Sequence, residues 1–304
     1  WRGLWGALLD VVRFWIGHEV RIFRVDNPHT KPFAFWEWLI AEVQRAHRDV
    51  IFLAEAFTRP ARMRGLAKIG FTQSYTYFTW RNTTAELREY LTELTRTEMV
   101  EYFRGNFFAN TPDILHAYLQ QGGRPAFLVR LVLAATLSPL YGIYSGFELC
   151  ENVPVRPGSE EPIHSEKYEL VWRDWETPGP CNLSGDIATV NRLRRENSAL
   201  QSFRNLELHH SDNDRILFYR KHAPGNELLI AVNLDPVRPQ ETTVHVPVAA
   251  LGLGEDDLYG VEDLVTGTTY TWRGTRNYVR LDPAVQVAHI LRVRTAPATR
   301  PTPR

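Results

Sequence analysis

The sequence predicts an α/β fold: the C-terminal part of a (β/α)8 TIM barrel followed by a small all-β sandwich. Three observations carry this expectation. Apolar runs ending in acids alternate with helical patterns through residues 1–200, and such alternation calls for a parallel sheet with crossover helices. Glu55 follows Asp26, and Asp113 follows Glu55, at about one and two of the roughly 30-residue steps of a βα repeat. Beyond residue 200 the apolar period changes to two without intervening helices, as in a sandwich.

Residues 2–18 read as an amphipathic helix, with Leu4, Leu8, Val11, Val12 and Trp15 at three- and four-residue spacing. A strand follows at 20–26. Val20, Ile22, Arg24 and Asp26 share one face, Arg21, Phe23 and Val25 the other, and Pro28 stops it. Residues 33–47 are helical. The apolar run 49–55 is a buried parallel strand that ends in Glu55. A helix at 61–69, a strand at 71–78, a helix at 83–97 and a strand at 106–110 come next. Thr111, Pro112 and Asp113 suit the cap and first turn of a helix running to Gln120. Gly122-Gly123 breaks it, 124–137 is an apolar helix, and 140–144 is the fifth strand. A barrel needs eight, so the first three are expected before Trp1, and the open sheet edge is expected to leave this piece inactive and aggregation-prone alone. Residues 150–182 form a long Pro-, Glu- and Trp-rich loop, a length that is usually functional or disordered. A last helix spans 184–197. The sandwich occupies 201–293, with strands at 215–221, 227–234, 242–248, 258–265, 268–272, 277–282 and 286–293, and 294–304 form a disordered tail.

Composition narrows the partners. Lys+Arg and Asp+Glu both number 35, so no bulk charge favours nucleic acid or an anionic membrane. No apolar run reaches transmembrane length and no signal peptide is visible. The two cysteines, Cys150 and Cys181, lack metal-ligand spacing and read as lone thiols of a reducing, cytoplasmic compartment. His29 and His116 lie beside the acids without ligand spacing, and His209-His210 precede a sandwich strand at the surface, so no metal site is expected. Neither a P-loop nor a Ser/His/Asp signature occurs.

The three strand-end acids are expected to converge at one barrel mouth, where such folds keep their chemistry. Like charges at close range raise one pKa. A carboxylate nucleophile beside a protonated carboxyl is the apparatus of a retaining glycosidase, and Arg24 would hold the nucleophile ionised.

Phe23-Arg-Val-Asp-Asn27, Leu53-Ala-Glu-Ala56 and Asn110-Thr-Pro-Asp113, in that order, resemble the blocks of the α-amylase superfamily, glycoside hydrolase family 13. Longer strings are sharper: Arg21-Ile-Phe-Arg-Val-Asp-Asn-Pro-His-Thr-Lys-Pro32, Gln73-Ser-Tyr-Thr-Tyr-Phe-Thr-Trp-Arg-Asn82, Asn106-Phe-Phe-Ala-Asn-Thr-Pro-Asp-Ile-Leu-His116 and Gly142-Ile-Tyr-Ser-Gly-Phe-Glu-Leu-Cys-Glu-Asn152 resemble its maltosyltransferase subgroup. Most amylases carry Asn-His-Asp where this chain has Asn110-Thr-Pro-Asp113, a departure in the same direction. The resemblance implies Asp26 as nucleophile, Glu55 as general acid then base, Asp113 as transition-state stabiliser and Arg24 as the group orienting Asp26. It places Asn27 near a donor phosphate, and Lys167 and Tyr168, from Ser165-Glu-Lys-Tyr168, on the maltosyl unit. It implies α-maltose 1-phosphate as donor, an α-1,4-glucan as acceptor, no cofactor, and a homodimer in the full-length protein. The alternatives are an α-amylase-type hydrolase, or an inactive or merely glucan-binding remnant.

Overall fold

The computed structural model describes residues 1–175, 179 and 181–294. The expected tail lies outside them except for Arg294, which ends the last strand. By packing, the chain divides into two units: Trp1–Tyr77 with Leu91–Phe108, and Phe78–Tyr90 with Ala109–Arg304.

The first unit contains helices α1 (Arg2–Gly17), α2 (Phe33–Ala46) and α3 (Pro60–Lys68), and strands β1 (Ile22–Asp26), β2 (Ile51–Glu55) and β3 (Gln73–Tyr75). The end of α4 (Thr84–Arg96), the short α5 (Met99–Tyr102) and β4 (Gly105–Phe108) complete it. The four strands pair in parallel in the order β1-β2-β3-β4. At least one helix lies between each pair in sequence, as parallel pairing requires. Phe23 and Val25 face the helices, where Phe23 stacks on Phe52 with ring centroids 5.5 Å apart. By the two-residue period, Ile22, Arg24 and Asp26 take the opposite face.

Two expectations here need correction. Helix α1 buries Leu9 and Ile16, whereas Leu4, Leu8, Val11 and Trp15 are exposed. Apart from the side carrying Arg2, Asp10 and Arg13, the helix is apolar over an arc wider than the face it buries, so its periodicity does not choose which part of that arc is buried. The strand expected at 71–78 shortens to Gln73–Tyr75, and Tyr77–Trp80 forms a 3-10 turn.

The second unit contains α6 (Ala117–Leu137), β5 (Tyr141–Gly142) and α7 (Ser184–Glu196). Arg130, fully buried in α6, donates to the carbonyls of Phe78 and Arg81 and to Asn82 Oδ1, so those backbone groups leave the strand pattern. Burial pulls the Arg130 pKa down to about 9, with Tyr118 opposing, which leaves it cationic at neutral pH. The helix expected from Thr111 begins only at Ala117, with His116 as its cap. Thr111 and Ile114 instead exchange backbone hydrogen bonds, and that turn consumes the donors a helix start would leave open. The break expected at Gly122-Gly123 is present as a kink at Gly123, φ 57° and ψ −161°. Arg194 of α7 donates to the carbonyls of Ala135, Ser138 and Pro139, which closes the C-terminal end of α6.

The all-β part holds β6 (Leu206–His209), β7 (Ile216–Ala223), β8 (Asn226–Asn233), β9 (Gln240–His245), β10 (Leu258–Asp263), β11 (Thr269–Arg273), β12 (Arg276–Leu281) and β13 (Ala288–Arg294). Strands β11-β10-β13-β8-β7-β6 make an antiparallel sheet, and β12-β9 make a second. Their inner faces share one core that includes Phe218, Leu229, Val244, Val261, Trp272 and Val279. Strand β6 was not expected; His209 ends it, and the His209-His210 pair still precedes β7. No helix among the described residues is long and apolar enough to cross a membrane.

Lys221 of β7 is fully buried and donates to the Ser202 carbonyl. Burial, then the nearby Arg194 charge, push its pKa down to about 7. The unfolded chain therefore binds one more proton than the folded chain between about pH 7 and the unfolded lysine value near 10.4. Stability should rise with pH across that window. Lys221→Met should remove the slope and raise the thermal midpoint at pH 7 by about 5 °C or more, read by calorimetry. An unchanged slope would contradict the assignment.

Candidate active site

Parallel pairing of β1 with β2 sets Arg24 against Leu53 and Asp26 against Glu55. Both acids are the last residues of their strands, and adjacent strands lie only about 4.8 Å apart. Arg24 joins them: Nη1 is 3.3 Å from Asp26 Oδ2 and Nη2 is 3.3 Å from Glu55 Oε2. The environments differ. The Asp26 side chain is 68% exposed and that of Glu55 9%. Burial works against the Arg24 charge, but Glu55, Tyr75 and Asp26 outweigh it and hold its pKa above the ordinary value. Tyr75, at the end of β3, hydrogen-bonds Arg24, and burial holds its phenol above the usual range against that cation.

Asn27 turns the chain away at the strand end in the left-handed region, at φ 43° and ψ 51°, where asparagine is several-fold enriched. This turn aims its N–H at Glu55, 3.0 Å from the backbone oxygen and 3.3 Å from Oε2. The loop after it is held by Trp36 Nε1 donating to Pro28 O at 2.9 Å and Arg62 to His29 O at 2.9 Å. Burial and Arg62 hold the His29 pKa below its ordinary value, which favours the neutral ring.

In the second unit, Asp113 sits in the Thr111–Ile114 turn, its N–H donating to Thr111 Oγ1 at 3.2 Å. Lys167 Nζ is bonded to Asp113 Oδ1 and lies 3.0 Å from Glu161 Oε1. Slight burial works against the Lys167 charge, but these hydrogen bonds hold its pKa well above the ordinary value. The ammonium also lies 5.0 Å from the centroid of the Tyr168 ring, which is 79% exposed. The structure thus brings Arg24, Asp26, Asn27 and Glu55 together in one unit, and Asp113, Lys167 and Tyr168 in the other. His116 is a cap: Nδ1 accepts from the Tyr118 N–H at 3.2 Å, and burial lowers its pKa.

The described part of the 150–182 loop is tied down. Arg173, with a side chain only 4% exposed, takes both Glu151 oxygens at 2.7 and 2.9 Å and also Glu166 Oε1. Glu166 N–H donates to the Tyr144 hydroxyl at 2.8 Å, which fixes the residue next to Lys167. Cys150 and Cys181 form a disulfide with Cα atoms 5.9 Å apart. The reading of two lone thiols is therefore wrong: residues 31 apart in sequence meet because the loop folds back. Tyr75, Glu161 and Arg173 were not singled out from the sequence. Tyr75 had no local signal, because the Ala54–Ser74 pairing that sets it beside Glu55 is visible only in the structure. Glu161 and Arg173 had none, because each is one charge in a charge-rich loop.

The family model "GLGE, C-terminal" matches residues 208–293. α-1,4-Glucan:maltose-1-phosphate maltosyltransferase 2 of Streptomyces coelicolor is 56% identical over 294 residues, 96% of this chain and 44% of that protein. The chain matches the C-terminal portion of maltosyltransferases of this kind. The maltosyltransferase of Rhodospirillum rubrum is 55% identical over 292 residues, 95% of this chain and 42% of that protein. The chain thus spans less than half the length of the relatives it matches. Among solved structures, an α-amylase of Geobacillus thermoleovorans complexed with acarbose superposes with TM-score 0.75 at 15% identity, over 97% of this chain and 64% of that one. A γ-CGTase of Bacillus clarkii gives 0.68 at 17%, over 94% and 42%. At such identities the likeness concerns the fold alone, and that fold is the α-amylase type: part of a (β/α)8 barrel followed by an all-β domain.

Opening the disulfide by Cys150→Ser should cost about 3–4 kcal/mol by loop-closure entropy. It should also expose 150–181 to limited proteolysis, read by mass spectrometry. An unchanged unfolding midpoint and cleavage pattern would show that Arg173 and Glu151 hold the loop without the disulfide.

Proposed function

We propose that this chain carries the reacting carboxylates of an α-1,4-glucan:maltose-1-phosphate maltosyltransferase. The observation that carries the reading is the Asp26–Glu55 pair, in register on adjacent strands and bridged by Arg24. One inter-strand step is close to the 5–5.5 Å between carboxyls in retaining enzymes and short of the 6.5–9.5 Å of inverting ones. The names of the relatives support the substrates, α-maltose 1-phosphate and an α-1,4-glucan.

In the proposed reaction Asp26, paired with Arg24, attacks the anomeric carbon of maltose 1-phosphate. The C–O bond to phosphate breaks as Glu55 donates its proton to the leaving oxygen. The less exposed carboxyl takes the acid role, the division seen where one carboxyl is shielded from water. The β-maltosyl ester on Asp26 is then attacked by the 4-hydroxyl at the glucan's non-reducing end, with Glu55 taking the proton. Two displacements give net retention. Asp113 holds sugar hydroxyls, Lys167 and Tyr168 bind the maltosyl unit, and Asn27 lies by the phosphate. Donation of the Asn27 N–H to Glu55 adds a second task, orienting the acid. The proposal extends to a cytoplasmic homodimer, where the Cys150–Cys181 disulfide would face a reducing pool.

The test is turnover by the full-length protein carrying this region. Maltose 1-phosphate with a maltooligosaccharide should give inorganic phosphate and a chain longer by one maltosyl unit, with Glu55→Gln slower by roughly 10²–10⁴-fold. Release of free reducing maltose without chain extension would identify a hydrolase instead. Full activity in Glu55→Gln would remove Glu55 from the chemistry.

A further inference from the structure

A cluster on the all-β part takes no role in the carbohydrate reading. Segment 210–212 runs beside β9: Ser211 bridges Val244, Asp212 N–H donates to Thr243 O at 3.1 Å, and His245 N–H donates to His210 O at 3.0 Å. Two residues apart on an extended segment, His210 and Asp212 present their side chains to one side. His245 meets them from the neighbouring strand, and β12 places Arg276 opposite His245. His210 Nε2 lies 3.2 Å and His245 Nε2 2.7 Å from the same oxygen, Asp212 Oδ1. The three candidate ligand atoms all lie within 4.8 Å of one another, the one such group of three among the described residues. The two imidazoles stand edge to face with centroids 4.7 Å apart.

Hydrogen bonding alone does not satisfy this arrangement. His245 Nε2 faces both Asp212 Oδ1 and, at 3.2 Å, Arg276 Nη1. A carboxylate only accepts and a guanidinium only donates. If Nε2 carries a proton it serves Asp212 and confronts the arginine N–H. If it is bare it accepts from Arg276 and sets its lone pair against the carboxylate. A cation at the common focus uses both lone pairs, and Arg276 keeps its bond to the other carboxylate oxygen, Asp212 Oδ2, at 2.9 Å.

We propose that His210, Asp212 and His245 form a binding site for a divalent transition metal of the zinc class, with Arg276 as the outer partner of the carboxylate. Two imidazoles and one carboxylate are a zinc donor set that leaves a fourth position for water, whereas magnesium and calcium prefer oxygen ligands. Bonds of about 2.0–2.1 Å in a tetrahedral site separate ligand atoms by roughly 3.3 Å. The His210–Asp212 separation of 3.2 Å already fits, and at 2.7 Å His245 must back away from Asp212. Such a retreat is open to a side chain on a surface edge, and an exposed His210 and Asp212 leave an entry path.

The full-length protein carrying this chain should be titrated at neutral pH with zinc alone, against a chromophoric chelator, and in parallel with magnesium. One zinc per chain is expected, with a thermal midpoint that rises as zinc saturates and no response to magnesium. His210→Ala and His245→Ala should each weaken binding by at least about tenfold, since even outer-shell changes cost that much. Their midpoints without metal report that both variants fold. No zinc binding, or equal affinity in the parent and both variants, would overturn the proposal and mark an adventitious ion held by other histidines.

Discussion

The catalytic reading depends on one constraint, the register of β1 on β2. Parallel pairing that sets Ile22 against Ile51 necessarily brings Asp26 level with Glu55. Two carboxylates so close repel each other unless a cation or a proton intervenes. Arg24, two residues before Asp26 and so on its face, supplies the cation to both. A slip of one residue would turn Arg24 and Asp26 to the helix-covered side and bring Phe23 and Val25 to the site. The Phe23–Phe52 stack guards against that slip. Apolar packing on one face of the sheet thus sets the placement of the carboxylates on the other.

The second unit solves a different problem, how to hold a long loop still. Lys167 and Tyr168 come from a stretch with almost no regular structure. A loop ordered this way needs fixed points that do not depend on a backbone ladder. Arg173, buried among Glu151, Glu166 and the Ser145 carbonyl, is one, and the disulfide is another. Trp80 adds a third, its Nε1 lying 3.0 Å from each Glu160 oxygen. These points flank Lys167, whose ammonium in turn holds Asp113.

What was legible in the sequence follows from what is periodic. Strands β1 and β2 are short apolar runs closed by an acid, and alternation alone put Arg24 and Asp26 on one face. The change to a two-residue period after residue 200 located most of the sandwich. Legibility failed where a decision is made at a distance. The Thr111-Pro112-Asp113 triplet has the chemistry of a helix start, yet Thr111 pairs with Ile114 and the helix waits for His116. The strand at 71–78 was cut short by Arg130, a buried cation some 50 residues away whose donors take carbonyls that a strand would use. No local pattern announces such a partner. The face of α1 was ambiguous for the opposite reason, an apolar arc wider than the face that is buried. Cys150 and Cys181 carried no information on pairing until the loop between them was seen to fold back.

The central claim is that Asp26 becomes the esterified group. The most direct measurement is mass spectrometry of the full-length protein after reaction with a fluorinated maltosyl donor that forms the intermediate quickly and breaks it down slowly. The account predicts one added maltosyl mass per active site, on the peptide that contains Arg24, Asp26 and Asn27, and none in Asp26→Ala. A label on the Glu55 or Asp113 peptide, or rapid inverted product with no label at all, would contradict it.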